Sequence, residues 1–192
     1  MPYPQKLSEP QILEEAARLV DEAGLDALSM RVLARCLGVR ASSLYRYFPD
    51  KDTLVRTLSA TFLTELAEEV ERHETLVGMA HACWDYALRC PNRYATIVYR
   101  APETEQPPAA VKFQVSEPLN KLAARVSPDR SLVAARVLWS YVHGAVSLRL
   151  LWPTREGLDP EEAFAAGLAA LDAWLASGTD GDRTDGVPPP RQ

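Results

Sequence analysis

Apolar residues recur at helical spacing along most of the chain, and this pattern predicts an all-α protein of about nine helices. The first helix is predicted to begin at Ser8, because Gln11 three residues later completes a capping box and Pro10 lies in the first turn. It is predicted to end at Gly24. Its inner stripe comprises Ile12, Ala16, Leu19, Val20 and Ala23.

The segment from Ser29 to Lys51 predicts two short helices joined by a tight turn at Gly38. One side of the first is apolar: Val32, Leu33, Cys36 and Leu37. The second helix buries Leu44 and Phe48 and ends before Pro49. Its other side chains are predicted to face outwards: Arg40, Ala41, Ser42, Ser43, Tyr45, Arg46 and Tyr47. Small residues at the leading turn let a helix approach base edges and phosphates, so the segment predicts a DNA-reading unit.

A longer helix follows Asp50, with an apolar stripe of Leu54, Leu58, Phe62, Leu66 and Val70. Its far end is acidic, with Glu65, Glu68, Glu69, Glu71 and Glu74. His73 lies four residues after Glu69, which would suit a metal site, but no second His or Cys falls at ligand spacing. A solvated acidic face is the better interpretation, and we expect no bound metal.

The rest of the chain also follows a helical pattern. Further helices are predicted over residues 76–88, 94–99, 109–126, 127–152 and 159–175, with a loop at 102–108 and a disordered tail at 177–192. The last two helices have more apolar surface than one inner stripe needs. A second copy of the chain would cover the excess surface. The predicted dimer interface comprises Ala145, Leu148, Ala166, Gly167, Ala170, Leu171 and Trp174.

Positive charge is concentrated in the candidate DNA-reading segment, although the formal net charge of the chain is −5. Between Ser29 and Arg56 six Lys or Arg residues accompany two Asp residues, a balance of +4 that leaves −9 for the other segments. Short windows fluctuate by similar amounts, so charge alone does not identify a nucleic-acid binder. Combined with the predicted pair of short helices, it supports one.

The cysteines and the hydropathy of the sequence indicate the cellular compartment in which the protein is expected. The three cysteines form no CxxC pair, and no apolar signal-peptide core stands at the N-terminus, which favours a reducing cytoplasm. Cys83 and Cys90 lie two turns apart, a spacing open to a redox pair, although buried free cysteines are commoner. His143 and Arg149 interrupt the longest apolar run before it reaches the roughly 18 residues of a membrane span.

Catalytic motifs are missing from the sequence: it contains no GxSxG, no GxxxxGK[ST] and no GxGxxG. His143 could act as a base, but a polar residue that fixes packing or touches a ligand is the simpler interpretation. We therefore expect no enzymatic activity and no cofactor. Two alternatives stay open: a helical enzyme with an apolar active site, and a ligand-binding or adaptor protein without operator binding. The adaptor would not need Arg31, Arg40, Ser43, Tyr45 and Lys51 together.

The N-terminal region resembles the DNA-binding domain of the tetracycline-repressor (TetR) family of transcriptional regulators. The resemblance is carried by Ala16-Ala17, Asp21-Glu22-Ala23-Gly24, Leu28-Ser29-Met30-Arg31, Leu33-Ala34-Arg35-Cys36-Leu37-Gly38-Val39, Ser42-Ser43-Leu44-Tyr45-Arg46-Tyr47-Phe48 and Lys51-Asp52-Thr53-Leu54. Tyr47 stands where the family often has His, and Asp50 where it often has a small polar residue. The resemblance implies a three-helix helix-turn-helix domain over residues 1–55 and a C-terminal effector-binding and dimerisation domain over 56–176.

The resemblance also implies partners for the chain: a double-stranded DNA operator, a second copy and a small effector that releases a repressor. The expected DNA contacts are Ser29, Arg31, Arg40, Ala41, Ser42, Ser43, Tyr45, Arg46, Tyr47 and Lys51. In TetR-like proteins the last two long helices pair with their copies in a four-helix bundle, and the last two here look like them.

The region from about Leu76 to Leu175 resembles a subgroup with a Trp-His-Gly signature, through Trp139-Ser140-Tyr141-Val142-His143-Gly144 and Pro91-Asn92-Arg93-Tyr94. Because the family keeps a cavity here, the expected effector contacts are Met79, Cys83, Trp84, Tyr94, Val98, Phe113, Trp139, Tyr141, Val142 and His143. These side chains predict an apolar or aromatic effector. The basic residues that a polyanion would need are spread out and expected in solvent: Arg89, Arg93, Arg100 and Arg149.

Overall fold

All regular structure in the described part of the computed structural model, residues 7–99, 131–152 and 157–177, is helical. The helices are α1 (Glu9–Ala23), a 3-10 turn (Leu25–Ala27), α2 (Met30–Cys36), α3 (Ala41–Leu44), α4 (Lys51–Glu71), α5 (Leu76–Arg89), α6 (Pro91–Tyr99), α7 (Ser131–Leu151) and α8 (Pro160–Ser177). The predicted all-α class is confirmed. The loop predicted at 102–108, the helix predicted at 109–126 and the tail beyond residue 177 lie outside the described residues. Among the described helices, none is both long and apolar enough to cross a lipid bilayer.

Several helices begin where a short polar side chain accepts a hydrogen bond from a free backbone N–H of the first turn. The capping box predicted for α1 is present, since the Ser8 hydroxyl accepts from Gln11 N and Ser8 N donates to the Gln11 side chain at 3.1 Å. Equivalent caps are Ser29 on α2, Asp50 on α4 and Thr75 on α5. These residues set the start of each helix from local sequence alone.

The first hydrophobic cluster joins α1, α2 and α3 to the first half of α4. Its buried members are Ile12, Ala16, Val20, Leu28, Met30, Leu33, Ala34, Leu44, Phe48, Leu54, Val55, Leu58 and Phe62. Two predicted core residues are wrong, because Ala23 and Cys36 are exposed. In α2 the stripe runs through Met30, Leu33 and Ala34, and each residue turns about 100° round a helix, so Cys36 points away from it.

The second hydrophobic cluster joins the rest of α4 to α5, α6, α7 and α8. The predicted stripe of α4 is buried along its whole length, from Leu54 in the first cluster to Val70 in the second. Ile97 on α6 packs against both clusters. The predicted domain boundary after residue 55 falls inside α4 and stays a prediction, since one continuous helix serves both clusters.

Gly167 marks the closest approach of α8 to α7. A Cβ atom at this position would lie 2.0 Å from the Tyr141 hydroxyl oxygen and 2.4 Å from the ring carbon that bears it. That hydroxyl is held in place, because it donates to the carbonyl oxygens of Phe164 at 2.9 Å and Ala163 at 3.2 Å. Only glycine leaves room for the tyrosine ring between the two helices.

We predict that Gly167→Ala lowers the free energy of unfolding by about 1–3 kcal/mol, because the added methyl group must displace the Tyr141 ring. Gly144→Ala on α7 is the matched control, since nothing lies within 4 Å of its Cβ position. The control should gain about 0.5–1 kcal/mol, as expected for alanine replacing glycine inside a helix. Urea unfolding at equal protein concentration measures both, and equal effects of the two substitutions would contradict the close contact.

Candidate functional site

The connection between α2 and α3 has the backbone of a tight helix-turn-helix. Gly38 has a φ of +66°, a left-handed conformation that glycine adopts without strain. Val39 N–H then donates to the Ala34 carbonyl at 2.9 Å, which closes the turn. The regular part of α3 covers four residues, and Phe48 N–H donates to the Leu44 carbonyl at 2.9 Å beyond it. Two short helices therefore stand at a fixed angle on the first cluster.

The outer side of α3 is open to solvent. Leu44 and Phe48 are buried as predicted, whereas Tyr45 is 51% exposed. The other predicted outward residues are exposed in three cases, Arg40, Ser42 and Arg46, and half-buried in two, Ala41 and Ser43. This side presents guanidinium, hydroxyl and phenol groups around a small-residue turn, which is the chemistry that contacts phosphates and base edges.

Tyr47 does not share that outward orientation. Its side chain is half-buried and packs against the first cluster, and its hydroxyl donates to the backbone carbonyl of Leu7. The two residues are 40 positions apart, so helical periodicity gives no signal for this contact. The hydrogen bond of Tyr47 therefore holds Leu7, which precedes the N-cap residue of α1, against the turn that follows α3.

Further positive charges lie on the helices that precede and follow α3. Arg31 is exposed at the start of α2, and Lys51 is the first residue of α4. None of the ion pairs formed among residues 7–99, 131–152 and 157–177 includes Arg31, Arg40, Arg46 or Lys51. Ser29 caps α2 by accepting from Val32 N at 3.2 Å, which places it beside Arg31. These positive charges are available to a polyanion.

Part of the predicted effector region is a narrow crevice between α5 and α7. Met79, Cys83, Trp139 and Val142 line it, together with Val70, Ala80 and Leu138. Its volume is about 10 Å³, roughly the space that one water molecule needs. Four of the predicted effector contacts are therefore brought together, but in this structure their side chains fill the space between the helices.

A polar unit lies beside the crevice. The Tyr94 hydroxyl and His143 Nδ1 are 3.1 Å apart, and the Trp139 ring is nearly parallel to the His143 ring with centroids 6.3 Å apart. Burial raises the pKa of Cys83 to about 12, although a hydrogen bond with Tyr94 opposes the shift. Burial also lowers the pKa of His143. Both shifts favour the uncharged forms, so this region suits a neutral ligand.

Other predicted effector contacts lie elsewhere. Trp84 and Tyr141 point to α8, where their rings stack on the Phe164 ring at centroid distances of 4.2 Å and 5.7 Å. Val98 is half-buried against the second cluster. Phe113 lies outside the described residues. The aromatic stripe therefore divides between the side of the crevice and the contact of α5 and α7 with α8.

The predicted dimer residues also divide. Exposed positions are Leu148, which is 61% exposed, Trp174, which is 36% exposed, Ala166 and Ala170. Half-buried positions are Ala145 and Leu171, which pack against the second cluster, and Gly167, which faces Tyr141 of its own chain. The exposed group leaves an apolar strip on α7 and α8 that the protomer does not cover.

Arg93 was expected in solvent, and that prediction is wrong. Its side chain is 23% exposed and forms ion pairs with Asp21 of α1 and Glu65 of α4. Asp21 and Arg93 are 72 residues apart, so no spacing rule could have found the pair. Arg89 and Arg149 are exposed as expected, and Arg100 lies outside the described residues.

Metal-binding geometry is missing from the described part of the chain, where no three His, Cys, Asp or Glu residues are grouped to hold an ion. His73, which was considered as a ligand, is exposed. Its ring instead lies beside Gly78 at the start of α5, with Nδ1 3.0 Å from the Cβ position of that glycine.

Two family descriptions match the chain. "Bacterial regulatory proteins, tetR family" matches residues 12–58, and "Tetracyclin repressor-like, C-terminal domain" matches residues 76–171. The first match contains α2, the turn at Gly38 and α3, and the second contains all of the residues that line the crevice except Val70. The resemblance to the Trp-His-Gly subgroup stays a prediction.

Relatives with similar sequences are regulators. The chain is 27% identical over 182 residues to an uncharacterised HTH-type transcriptional regulator, Rv0681, of Mycobacterium tuberculosis. This alignment covers 90% of this chain and 83% of Rv0681. It is 29% identical over 181 residues to the HTH-type transcriptional repressor DrrR1 of Streptomyces coeruleorubidus, covering 88% of this chain and 64% of DrrR1. A variant of TetR from Acinetobacter baumannii in complex with minocycline has the same fold, with a TM-score of 0.69, 24% identity and coverage of 92% and 100%.

Proposed function

Because the chain belongs to the tetracycline-repressor family of transcriptional regulators, and is therefore a helix-turn-helix DNA-binding protein and not an enzyme, we propose that it binds a palindromic operator as a homodimer. It acts in the cytoplasm as a repressor, nucleoid-associated while on its operator, and a small apolar effector releases it. The observation that carries this proposal is the solvent-facing side of α3, where the charges of Arg40 and Arg46 have no ion-pair partner among the described residues.

The predicted DNA contacts, which are exposed or half-buried, are assigned to two groups. Arg40, Ser42, Ser43 and Arg46 are assigned to base edges, with Ala41 allowing close approach to them. Ser29, Arg31, Tyr45 and Lys51 are assigned to the phosphate backbone. The Tyr47 hydroxyl donates to the Leu7 carbonyl in this structure, so a phosphate contact by Tyr47 would need this hydrogen bond to be exchanged.

A homodimer explains how such a short reading helix gains affinity. Two helix-turn-helix units read two half-sites about 34–36 Å apart on one side of a duplex. The uncovered apolar strip on α7 and α8, which includes Leu148 and Trp174, supports pairing of these helices with their copies. A palindromic operator follows from the twofold symmetry of such a dimer.

The effector assignment rests on the chemistry around the crevice. Its lining is apolar, and Tyr94 and His143 supply a few hydrogen-bonding groups without a formal charge. Small-molecule sites combine apolar walls with a few polar groups in this way. The arginines near this part of the structure do not form an anion site, since Arg93 is paired and Arg89 pairs with Glu69. A neutral aromatic or lipid-like molecule therefore fits better than a phosphorylated one.

The first prediction concerns DNA binding. The operator of the protein should be identified by footprinting the purified protein on an inverted repeat beside the gene that encodes it. Lys51→Ala should weaken all sites about equally and reduce the salt slope of binding by about 0.9, because it removes one phosphate contact. Arg46→Ala should change the preferred sequence, at a cost of about 1–3 kcal/mol on the best site. Arg72→Ala, exposed at the far end of α4, is the control. Altered sequence preference with an unchanged slope for Lys51→Ala would contradict the assigned roles.

The second prediction concerns the dimer. Ala170→Glu should dissociate it, because two like charges would be buried unpaired near the twofold axis. Ala165→Glu is the matched control, since Ala165 is also exposed on α8 but lies on its opposite side by helical geometry. Sedimentation at micromolar concentration should give a dimer for the wild type and the control and a monomer for Ala170→Glu. A monomeric wild type would refute the homodimer.

The third prediction concerns the effector. A neutral aromatic or lipid-like compound should raise Tm, and one present at 100 times its Kd adds about 2.7 kcal/mol of stability. A thermal-shift screen should include ATP and pyrophosphate as polyanions, and each compound that stabilises the protein should then be tested for release from the operator. If polyanions alone both stabilised the protein and released the DNA, an apolar site would be the wrong assignment.

A further inference from the structure

The beginning of α6 meets the end of α1 and the middle of α4 through one arginine. Arg93 Nε donates to Asp21 Oδ1 at 2.8 Å and Arg93 Nη2 donates to Asp21 Oδ2 at 2.6 Å, which is a bidentate pair. Arg93 Nη1 donates to Glu65 Oε2 at 2.7 Å. The guanidinium carbon also lies 4.9 Å from the centre of the Phe62 ring. One side chain therefore binds two carboxylates on two helices while it covers an aromatic ring of the first cluster.

Neighbouring groups extend this contact. Asn92 Nδ2 donates to the Asp21 carbonyl at 3.0 Å, near the end of α1, where helix carbonyls lack partners within the helix. On the other side, the Tyr86 hydroxyl donates to the Phe62 carbonyl at 3.3 Å and is 3.4 Å from Glu65 Oε2. We call the contact of Asp21, Glu65, Asn92 and Arg93 the α6 clasp.

The clasp differs from the other ion pairs among the described residues. Arg18 pairs with Glu15 and Glu22 inside α1, and Arg89 joins α5 to α4 through Glu69. Arg93 of α6 forms ion pairs with α1, which packs with α2 and α3 in the first cluster, and with α4. Its hydrogen bonds with Asp21, and then with Glu65, raise the pKa of Arg93 against the opposing effect of burial, so the guanidinium keeps its positive charge.

The next residue of α6 points the other way. Tyr94 is buried in the second cluster, and its hydroxyl lies 3.1 Å from His143 of α7. Two consecutive residues of one nine-residue helix therefore contact α1 on one side and the region beside the crevice on the other. Because a helical turn is stiff, a displacement of α6 at Tyr94 must also displace the guanidinium of Arg93.

We propose that Arg93 is a positioning residue, whose bonds to Asp21 and Glu65 hold the unit formed by α1, α2 and α3 at one angle to the rest of the protein. This angle decides where α3 stands. Only the use of DNA affinity as a readout rests on the proposed function, because the orientation itself can be measured without DNA.

Spin labels on the full chain test the proposal. Cys36 is exposed on α2 and takes one label, Asp172→Cys on the exposed side of α8 takes the other, and Cys90→Ser removes a competing thiol. Cys83 is buried and does not react. Labelled protein is diluted with excess unlabelled protein, so that the measured distance lies within one chain.

We expect a single narrow distance distribution with Arg93 in place, and a broader or shifted one for Arg93→Ala. Asp21→Asn should change the distribution in the same direction, and because Asp21 is exposed we expect this variant to fold. Arg89→Ala is the matched control, since it removes an ion pair that does not reach α1, and its distribution should match that of the parent. Distributions of Arg93→Ala and Asp21→Asn that superimpose on the parent would overturn the proposal.

DNA binding gives a second readout. Arg93→Ala and Asp21→Asn should each weaken operator affinity by about 5-fold or more, the lower end of typical coupling between sites, while footprint and sequence preference stay the same. A changed sequence preference would mean that Arg93 contacts DNA and is not a positioning residue. If the parent protein bound no operator, the proposed function would fail, but the distance measurement would still decide the role of Arg93.

Discussion

One helix, α4, is the constraint on which the arrangement of this protein depends. Its first half contributes Leu54, Leu58 and Phe62 to the core of the DNA-reading end, and its second half contributes Leu66 and Val70 to the core beside the crevice. A continuous 21-residue helix transmits rotation or translation along its length, because each turn is hydrogen-bonded to the next. The two cores are therefore mechanically linked even though their buried side chains form separate clusters.

Electrostatics adds a second link that can be broken without unfolding either core. The ion pairs of Arg93 are partly exposed, so each contributes less than a fully buried pair and costs less to separate. Packing through Ile97, which touches both clusters, is less easily reversed. Together, the apolar packing of Ile97 and the separable ion pairs of Arg93 allow the first and second clusters to change their relative angle while they stay in contact.

Local features of the fold could be predicted from sequence, and features that depend on distant residues could not. Ser8 and Asp50 each accept a hydrogen bond from a residue three positions away, and Gly38 forms the turn through its own positive φ, so their roles follow from local sequence. The stripe of α4 was equally clear, because its period matches the helix. By contrast, the contact of Gly167 with Tyr141 depends on how α7 and α8 cross. From the sequence alone, Gly167 was predicted to lie in the dimer interface, and its contact with Tyr141 of the same chain could not be predicted.

The same distinction holds within the candidate site. Arg40, Ser42 and Arg46 lie on the outer side of α3, where the burial of Leu44 and Phe48 requires them to be. Tyr47 satisfied the same pattern, but its side chain is half-buried, and its hydroxyl donates a hydrogen bond to a carbonyl 40 residues away. In the effector region, Met79, Cys83 and Val142 are buried, but their role as effector contacts stays a prediction, because composition cannot distinguish a filled core from a cavity.

The small size of the crevice has a consequence for how an effector would act. Pockets that bind drug-sized ligands have volumes of about 300–1,000 Å³, whereas the space between α5 and α7 is about 10 Å³. A ligand that enters there must separate Met79 and Cys83 from Trp139 and Val142, and it cannot bind equally well to the closed arrangement. That difference in affinity is what shifts a population of conformations. A filled crevice is therefore compatible with regulation, since a site already open in the DNA-bound form would bind its ligand without favouring release.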